Sequence, residues 1–218
     1  MQYLIDTADP NEIEEVMAYG IDGITANTTM YRRQGIGVRS FVARWAERKP
    51  SFLSGEVIGS FEQMEEQAKE LLAIDPDIVI KINFSKEGLR LAHRLHQQGV
   101  RTAMTLLFTV TQAVAAMQAG CDYLFFFIGR NEEQGWDGME AIAQLQALVD
   151  ACRAETKVVA ASIKNLYQLE QLARHHIDCA AIPYALYMRS LQHPLTESGA
   201  KTFIEDYEQN EQNKKPEI

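Results

Sequence analysis

Cysteine is scarce: the 218 residues hold three, Cys121, Cys152 and Cys179. They are widely spaced and lie in apolar surroundings, so neither a zinc-ligand spacing nor a disulfide framework is present, and reduced thiols in a cytosol are expected. Long apolar runs are missing as well. None approaches the roughly 18 residues that cross a membrane, so no membrane partner is expected. The start, MQYLIDTADP, carries Asp6 and no basic residue, so no signal peptide is expected. Positive charge is in deficit, with 21 Lys and Arg against 30 Asp and Glu, a net charge of −9 and a pI near 5.1. A phosphate backbone would be repelled, which speaks against nucleic acid. No glycine-rich phosphate loop appears, and no Ser-His-Asp set.

What is there is alternation. Short β-branched or aromatic runs fall at 3–5, 23–25, 52–58, 78–82, 101–106, 123–128, 158–161 and 179–182. Helical segments lie between them. Asp9-Pro10 supplies an N-cap and a proline for the first helical turn, followed by Glu12, Glu14 and Glu15. Ser60 with Gln63 fits a capping box ahead of Phe61, Met64, Ala68, Leu71 and Leu72. Gly99 and Gly120 close two later helices. Eight β-then-α units in a chain of this length predict an α/β protein, a (β/α)8 TIM barrel filling residues 1–218 as one domain. The strands are mostly apolar throughout, as parallel strands covered on both faces are. A doubly wound open sheet would show fewer strands and a glycine-rich first turn, whereas Asp6 is followed by TADPNE. The polar end from Glu208 is expected to fray.

Chemistry in this fold sits where strands end. Those ends carry Asp6, Asn27, Glu56, Lys81, Thr105 and Phe127, with Arg130 just beyond, then Ser162 and Lys164. Each has a plainer reading. Asp6 fits a strand-end cap, Asn27 a turn former. Glu56 with Lys81 fits a buried ion pair, although such a pair rarely outdoes apolar packing. Arg130 fits a surface charge paired to Glu132 or Glu133, with Lys164 solvated. His93 and His96 fit a solvated helix face better than a metal site, and Trp45 and Trp136 read as packing residues. The strand-end groups gain weight together, because one end of one fold collects them all. Lys81 interrupts DIVIKINF, where an apolar surround disfavours its charged form. A neutral amine attacks a ketone and forms a Schiff base, whose protonated imine is an electron sink. Asp6 and Glu56 are then the candidates for proton transfer.

These residues resemble the transaldolase family. MTLLFTVTQAVAAMQAG followed by FFFIGR looks like its signature around the fifth and sixth strands. VIKI, AASIK and IPYALYMRSLQHPLTESGAKTFIEDYE match its lysine, seventh-strand and C-terminal segments. The resemblance covers nearly the whole chain, and the length matches the small-subunit branch that includes fructose-6-phosphate aldolase. It implies Lys81 as the Schiff-base lysine, Asp6 as the acid/base, and Glu56 with Thr105 as holders of the catalytic water. Asn27 would contact substrate, and Arg130, Ser162 and Lys164 would bind the sugar phosphate. Glutamate at 56 and phenylalanine at 127 side with transaldolases; the aldolases carry glutamine and tyrosine. The chain departs from the family at Thr28 and Asn83, each in place of a proline, and at Ala103 and Phe125, where dihydroxyacetone is touched. The implied activity is a cofactor-free class I transaldolase acting on a sugar phosphate. Its alternatives are an aldolase releasing dihydroxyacetone, a transaldolase for a sugar sulfonate such as sulfofructose, and a non-catalytic sugar-phosphate sensor. The resemblance also implies a homo-oligomer built on pentamers, with a C-terminal helix packed on a neighbour.

Overall fold

The computed structural model describes residues 1–213. Eight parallel strands close into a barrel in chain order. They are β1 (Gln2–Asp6), β2 (Gly23–Thr25), β3 (Phe52–Val57), β4 (Val79–Asn83), β5 (Thr102–Leu107), β6 (Tyr123–Phe127), β7 (Lys157–Ala161) and β8 (Cys179–Ile182). β1 pairs with both β2 and β8, so no edge is left open. The expected barrel is the observed one.

The helices between the strands begin with α1 (Pro10–Ala18), then α2 (Thr28–Gln34) and α3 (Val38–Ala46). After β3 come α4 (Phe61–Leu72), α5 (Lys86–Gln97) and α6 (Val110–Gln118). β6 runs straight into α7 (Ile128–Glu133) and α8 (Gly138–Cys152), followed by α9 (Leu166–Arg174), α10 (Tyr184–Ser190) and α11 (Pro194–Asn213). The caps are those the sequence promised: Asp9 accepts from the first turn of α1, and Ser60 with Gln63 forms a capping box on α4.

Two helices lie between β2 and β3, a segment in which no individual helix was singled out from the sequence. Asn27 caps α2 with its side chain, Gly35 ends it in the left-handed conformation at φ 65°, and Gly37 starts α3. Three expectations need correction. Trp45 is buried, but Trp136 is 61% exposed and is no packing residue. The strand expected to reach residue 128 stops at Phe127, because α7 begins there. The end expected to fray from Glu208 continues α11 as helix to Asn213, and its last five residues lie outside the described ones.

Alternation along each strand divides the core in two. Outward residues such as Ile80, Ile82, Met104, Leu124 and Phe126 pack against the helices. Inward residues such as Leu4, Phe52, Val79, Ala103 and Phe125 fill the barrel itself. Lys81 falls on the inner face, between outward Ile80 and Ile82. That resolves the lysine in an apolar run: the run is two faces interleaved, and only one of them is continuous hydrocarbon.

Candidate active site

A cavity of about 520 Å³ opens at the C-terminal ends of the strands, the size of a small-molecule site. All nine residues singled out from the sequence line it: Asp6, Asn27, Glu56, Lys81, Thr105, Phe127, Arg130, Ser162 and Lys164. Strand register explains the gathering. Glu56 stands beside Lys81 across β3 and β4, and Asn83 beside Thr105 across β4 and β5.

Lys81 is 4% exposed. Its Nζ donates to the Ala26 carbonyl at 2.7 Å and lies 3.5 Å from Thr25 Oγ1, with the Phe125 ring centre 5.3 Å away. Among the described residues no carboxylate pairs with it inside 4 Å. The ion-pair reading of Glu56 and Lys81 therefore gives way. Glu56 is instead held by Thr28, whose backbone N–H and Oγ1 donate to Oε2 at 2.7 and 2.6 Å. A proline at position 28 would supply neither donor. Nothing local in the sequence joins residues 28 and 56; barrel closure does.

Asp6 ends β1 with no hydrogen bond donated to its carboxylate among the described residues, so it is not a strand-end cap. Removal from water pushes its carboxyl above the ordinary value; Lys81 pulls it back and Glu56 pushes it up further. Asn27 does two jobs. Its Oδ1 caps α2 through the Met30 N–H at 3.2 Å, while its amide nitrogen meets only the weak acceptor Met30 Sδ at 3.4 Å.

Thr105 faces inward by alternation, two residues beyond Ala103, and a bulge adds Leu106 beside it. The register between β5 and β6 shifts between Met104 and Leu107, and Leu106 adopts φ 62°. The extra residue lets both Thr105 and Leu106 face the cavity before Leu107 returns to the outer core. A leucine in this conformation is uncommon and costs about 1–3 kcal/mol. Ser162, at φ 60°, turns the chain out of β7 in the same way.

The basic end of the cavity lies over β6 and β7. Arg130 leans on the Phe127 ring, its guanidinium carbon 5.0 Å from the ring centre, and has no acidic partner among the described residues. Lys164 is the group that is tied, with Nζ 3.0 Å from Glu133. Glu132 takes a hydrogen bond from Gln168. The plainer reading of the pair is thus reversed, since it is Lys164 and not Arg130 that holds a glutamate. The two loops are stitched by the Gly129 N–H donating to the Ser162 carbonyl at 3.1 Å. Arg33, on α2, also lines the cavity with no acidic partner among the described residues, and it was not among the residues singled out from the sequence.

Apolar surface forms the remaining wall: Leu106, Phe125, Phe127, Ala161 and Ala181. Chemically the cavity offers an amine nucleophile, two carboxylates on neighbouring faces and a cationic rim. No cluster of metal-ligating side chains occurs among the described residues.

Comparison with known proteins agrees with this geometry. A family model described as Transaldolase/Fructose-6-phosphate aldolase matches residues 3–217. A protein named probable transaldolase from Alkaliphilus metalliredigens is 34% identical over 210 residues, covering 95% of this chain and 98% of that protein. Probable transaldolase 2 of Listeria monocytogenes is 34% identical over 210 residues, with 95% and 96% covered. Among solved structures, one described as native KDPGal superimposes with a TM-score of 0.56 at 16% identity, over 84% of this chain and 85% of that one. At that identity it speaks for the barrel alone.

Proposed function

Because the chain belongs to the transaldolase/fructose-6-phosphate aldolase family, we propose that it is a class I transaldolase. It transfers a dihydroxyacetone unit from an anionic ketose to an aldehyde acceptor, through a Schiff base on Lys81. The observation that carries this reading is a buried lysine with no carboxylate inside 4 Å among the described residues, opening onto a cavity that also holds Asp6, whose carboxyl burial pushes above its ordinary value.

The chemistry runs as follows. The Lys81 amine adds to the ketose carbonyl and water leaves, giving a protonated imine. The bond two carbons along breaks, and its electron pair flows into the imine to give an enamine. The proton on the departing hydroxyl passes to the Asp6 carboxylate, and the aldehyde fragment leaves. A second aldehyde accepts the enamine's electron pair, its oxygen takes the proton back, and hydrolysis frees Lys81. A carboxyl raised above its ordinary value suits this shuttle, since it holds a proton nearer neutral pH than a solvated one would. Glu56, fixed through one oxygen by Thr28, keeps the other for water. No cofactor is called on.

Transfer is favoured over release by the wall around the imine. Phe127 packs on Phe108 with ring centres 5.4 Å apart, and Phe125 lies over Lys81. Both limit water at the intermediate. The donor's far end is read as a phosphate or sulfonate held by Arg130, Ser162 and Lys164. A homo-oligomer is proposed with it, supported by α11, on which Leu195, Phe203, Ile204 and Tyr207 are exposed; light scattering on the intact chain reads the state directly.

Borohydride added with a ketose donor tests the core of this. A three-carbon adduct on Lys81, and an inert Lys81→Ala variant, are expected. An adduct on Lys164 or Lys86 instead overturns the assignment.

A further inference from the structure

We infer that Asn83 is a specificity-determining residue of this site. Its carboxamide reads the hydroxyl on the carbon next to the aldehyde, in the fragment beyond the bond that breaks. This deepens the Schiff-base mechanism above and rests on it.

Asn83 is the last residue of β4, two beyond Lys81 and so on the same inner face. At about 3.3 Å per residue its backbone stands roughly 6–7 Å nearer the mouth. It lines the cavity. Its Oδ1 is buried without a hydrogen-bond partner, and its carboxamide bonds to no described residue. A buried amide oxygen left without a donor is unfavourable, and native proteins rarely leave one so. Three other side chains share that condition: Tyr31, Thr102 and Asn131. None of the three lines the cavity; Asn83 does, and with its Oδ1 closed off it is the amide nitrogen, unpartnered and not buried, that can meet a ligand there.

Topology says which part of the ligand. Lys81 reaches from β4 toward the end of β2, where its Nζ meets the Ala26 carbonyl. The cationic rim sits over β6 and β7. In the closed order β3, β4 and β5 lie between these two positions on one side, and β1 and β8 on the other. On the first side an extended chain from the imine to the cations meets Asn83 and Thr105, which stand side by side at the rim, whereas β8 lines the other side only with Ala181. Asp6, on β1, is off that path and faces the breaking bond. The atoms passing Asn83 are therefore those between the breaking bond and the anion. The open amide nitrogen presents donors without charge, which suits a hydroxyl oxygen more than an anion.

The test uses dihydroxyacetone with two acceptors that carry the same anion: glyceraldehyde 3-phosphate, and 3-oxopropyl phosphate, which lacks the hydroxyl. The corresponding sulfonates form a second pair. Wild type should favour the hydroxylated acceptor in kcat/KM by roughly 5- to 100-fold, the range between one neutral hydrogen bond and a site left unpaired. Asn83→Ala should lose that preference and act almost equally on both, while borohydride still fixes dihydroxyacetone on Lys81 at the wild-type level. Asn83→Thr, which restores a hydroxyl, should recover part of it. A preference that survives Asn83→Ala with trapping intact removes Asn83 and leaves the Schiff base standing. A wild type that does not discriminate in either pair also overturns the assignment, and needs no variant to fold. Absence of trapping in wild type sinks the mechanism and this inference together.

Discussion

Removing the guanidinium at position 130 separates anion recognition from catalysis. Arg130 is exposed, supported by the Phe127 ring, and has no acidic partner to leave before it takes a ligand. A charge-assisted contact contributes about 1.5–3 kcal/mol, so Arg130→Ala should raise KM for an anionic ketose by roughly 10- to 150-fold. Lys164 differs, because its ammonium is already paired with Glu133 at 3.0 Å, with both side chains near half exposure. Breaking such a pair costs up to about 1 kcal/mol. Lys164→Ala should therefore be milder by as much as about 5-fold, and Glu133→Gln should lower KM by up to about the same factor. The assay is steady-state turnover on a phosphorylated or sulfonated ketose beside its uncharged counterpart, at two ionic strengths. The uncharged donor should hardly notice any of the three changes. Raising salt should weaken the anionic donor, since these charges are open to solvent. Equal losses on both donors after Arg130→Ala would refute the reasoning: Arg130 would then be holding α7 against Phe127, with no part in reading the anion.

The parts of this molecule that were legible in the sequence are those with local causes. A strand has a period of two and a helix a cap, so the eight strands, Asp9 and the Ser60–Gln63 box could be read from neighbouring letters. Lys81 was legible for the same reason: an ammonium among β-branched residues is a local contradiction, and such contradictions gather at functional sites. The partners of these groups were not legible. Thr28 gripping Glu56 joins positions 28 residues apart, and the contact exists only once β2 and β3 lie side by side. The bulge at Leu106 leaves no glycine or proline to announce it. Arg130 and Lys164 traded their expected roles because α7 starts without a turn after β6 and swings Glu133 toward β7.

Two departures from the family pattern take on physical meaning in this light. Thr28 adds donors to the Glu56 carboxylate where a proline has none, and Asn83 adds an amide to the cavity where a proline would add only a ring. Both sit one step from the reacting centre. Phe125 and Ala103 act in the opposite direction, giving the floor beneath Lys81 an apolar lining. On the proposed mechanism the ionisable groups that the resemblance implies, Asp6, Glu56 and Lys81, are all present, while hydrogen-bonding groups beside them depart from its pattern. That arrangement fits retained chemistry with an altered substrate.

Further consequences can be measured. Asp6→Asn should fold and lose on the order of 10²–10⁴ in rate. Because burial raises its carboxyl, the folded state binds the proton more tightly than the unfolded one, and stability falls as pH rises through that window. Asp6→Asn should therefore melt higher than wild type at neutral pH and lose the advantage as pH drops below the ordinary carboxylate range; a lower melting temperature at neutral pH would return Asp6 to a structural role. Phe127→Tyr should increase dihydroxyacetone release at the expense of transfer, and a wild type that releases as fast as it transfers would favour the aldolase. The last concerns Gly129, where β6 passes into α7. A Cβ there would stand 2.1 Å from the Ser162 carbonyl oxygen and 2.6 Å from Lys164 Cγ. The lysine stem can swing away, but the carbonyl is backbone, held by the Gly129 N–H at 3.1 Å and followed by a strained Ser162. Gly129→Ala must then push the β7 loop from β6 and spread Arg130 from Ser162 and Lys164. Overpacking of this kind costs about 1–3 kcal/mol of stability. The same displacement should raise KM for the anionic donor while leaving borohydride trapping of dihydroxyacetone on Lys81 intact, because Lys81 is anchored from β4 to Ala26 on the other side of the barrel. Thermal melts, trapping and the two-donor assay read the three effects separately. A variant that melts lower yet keeps its KM would mean the cations follow the substrate independently of this seam, and the anion site would not be built on the β6–β7 contact.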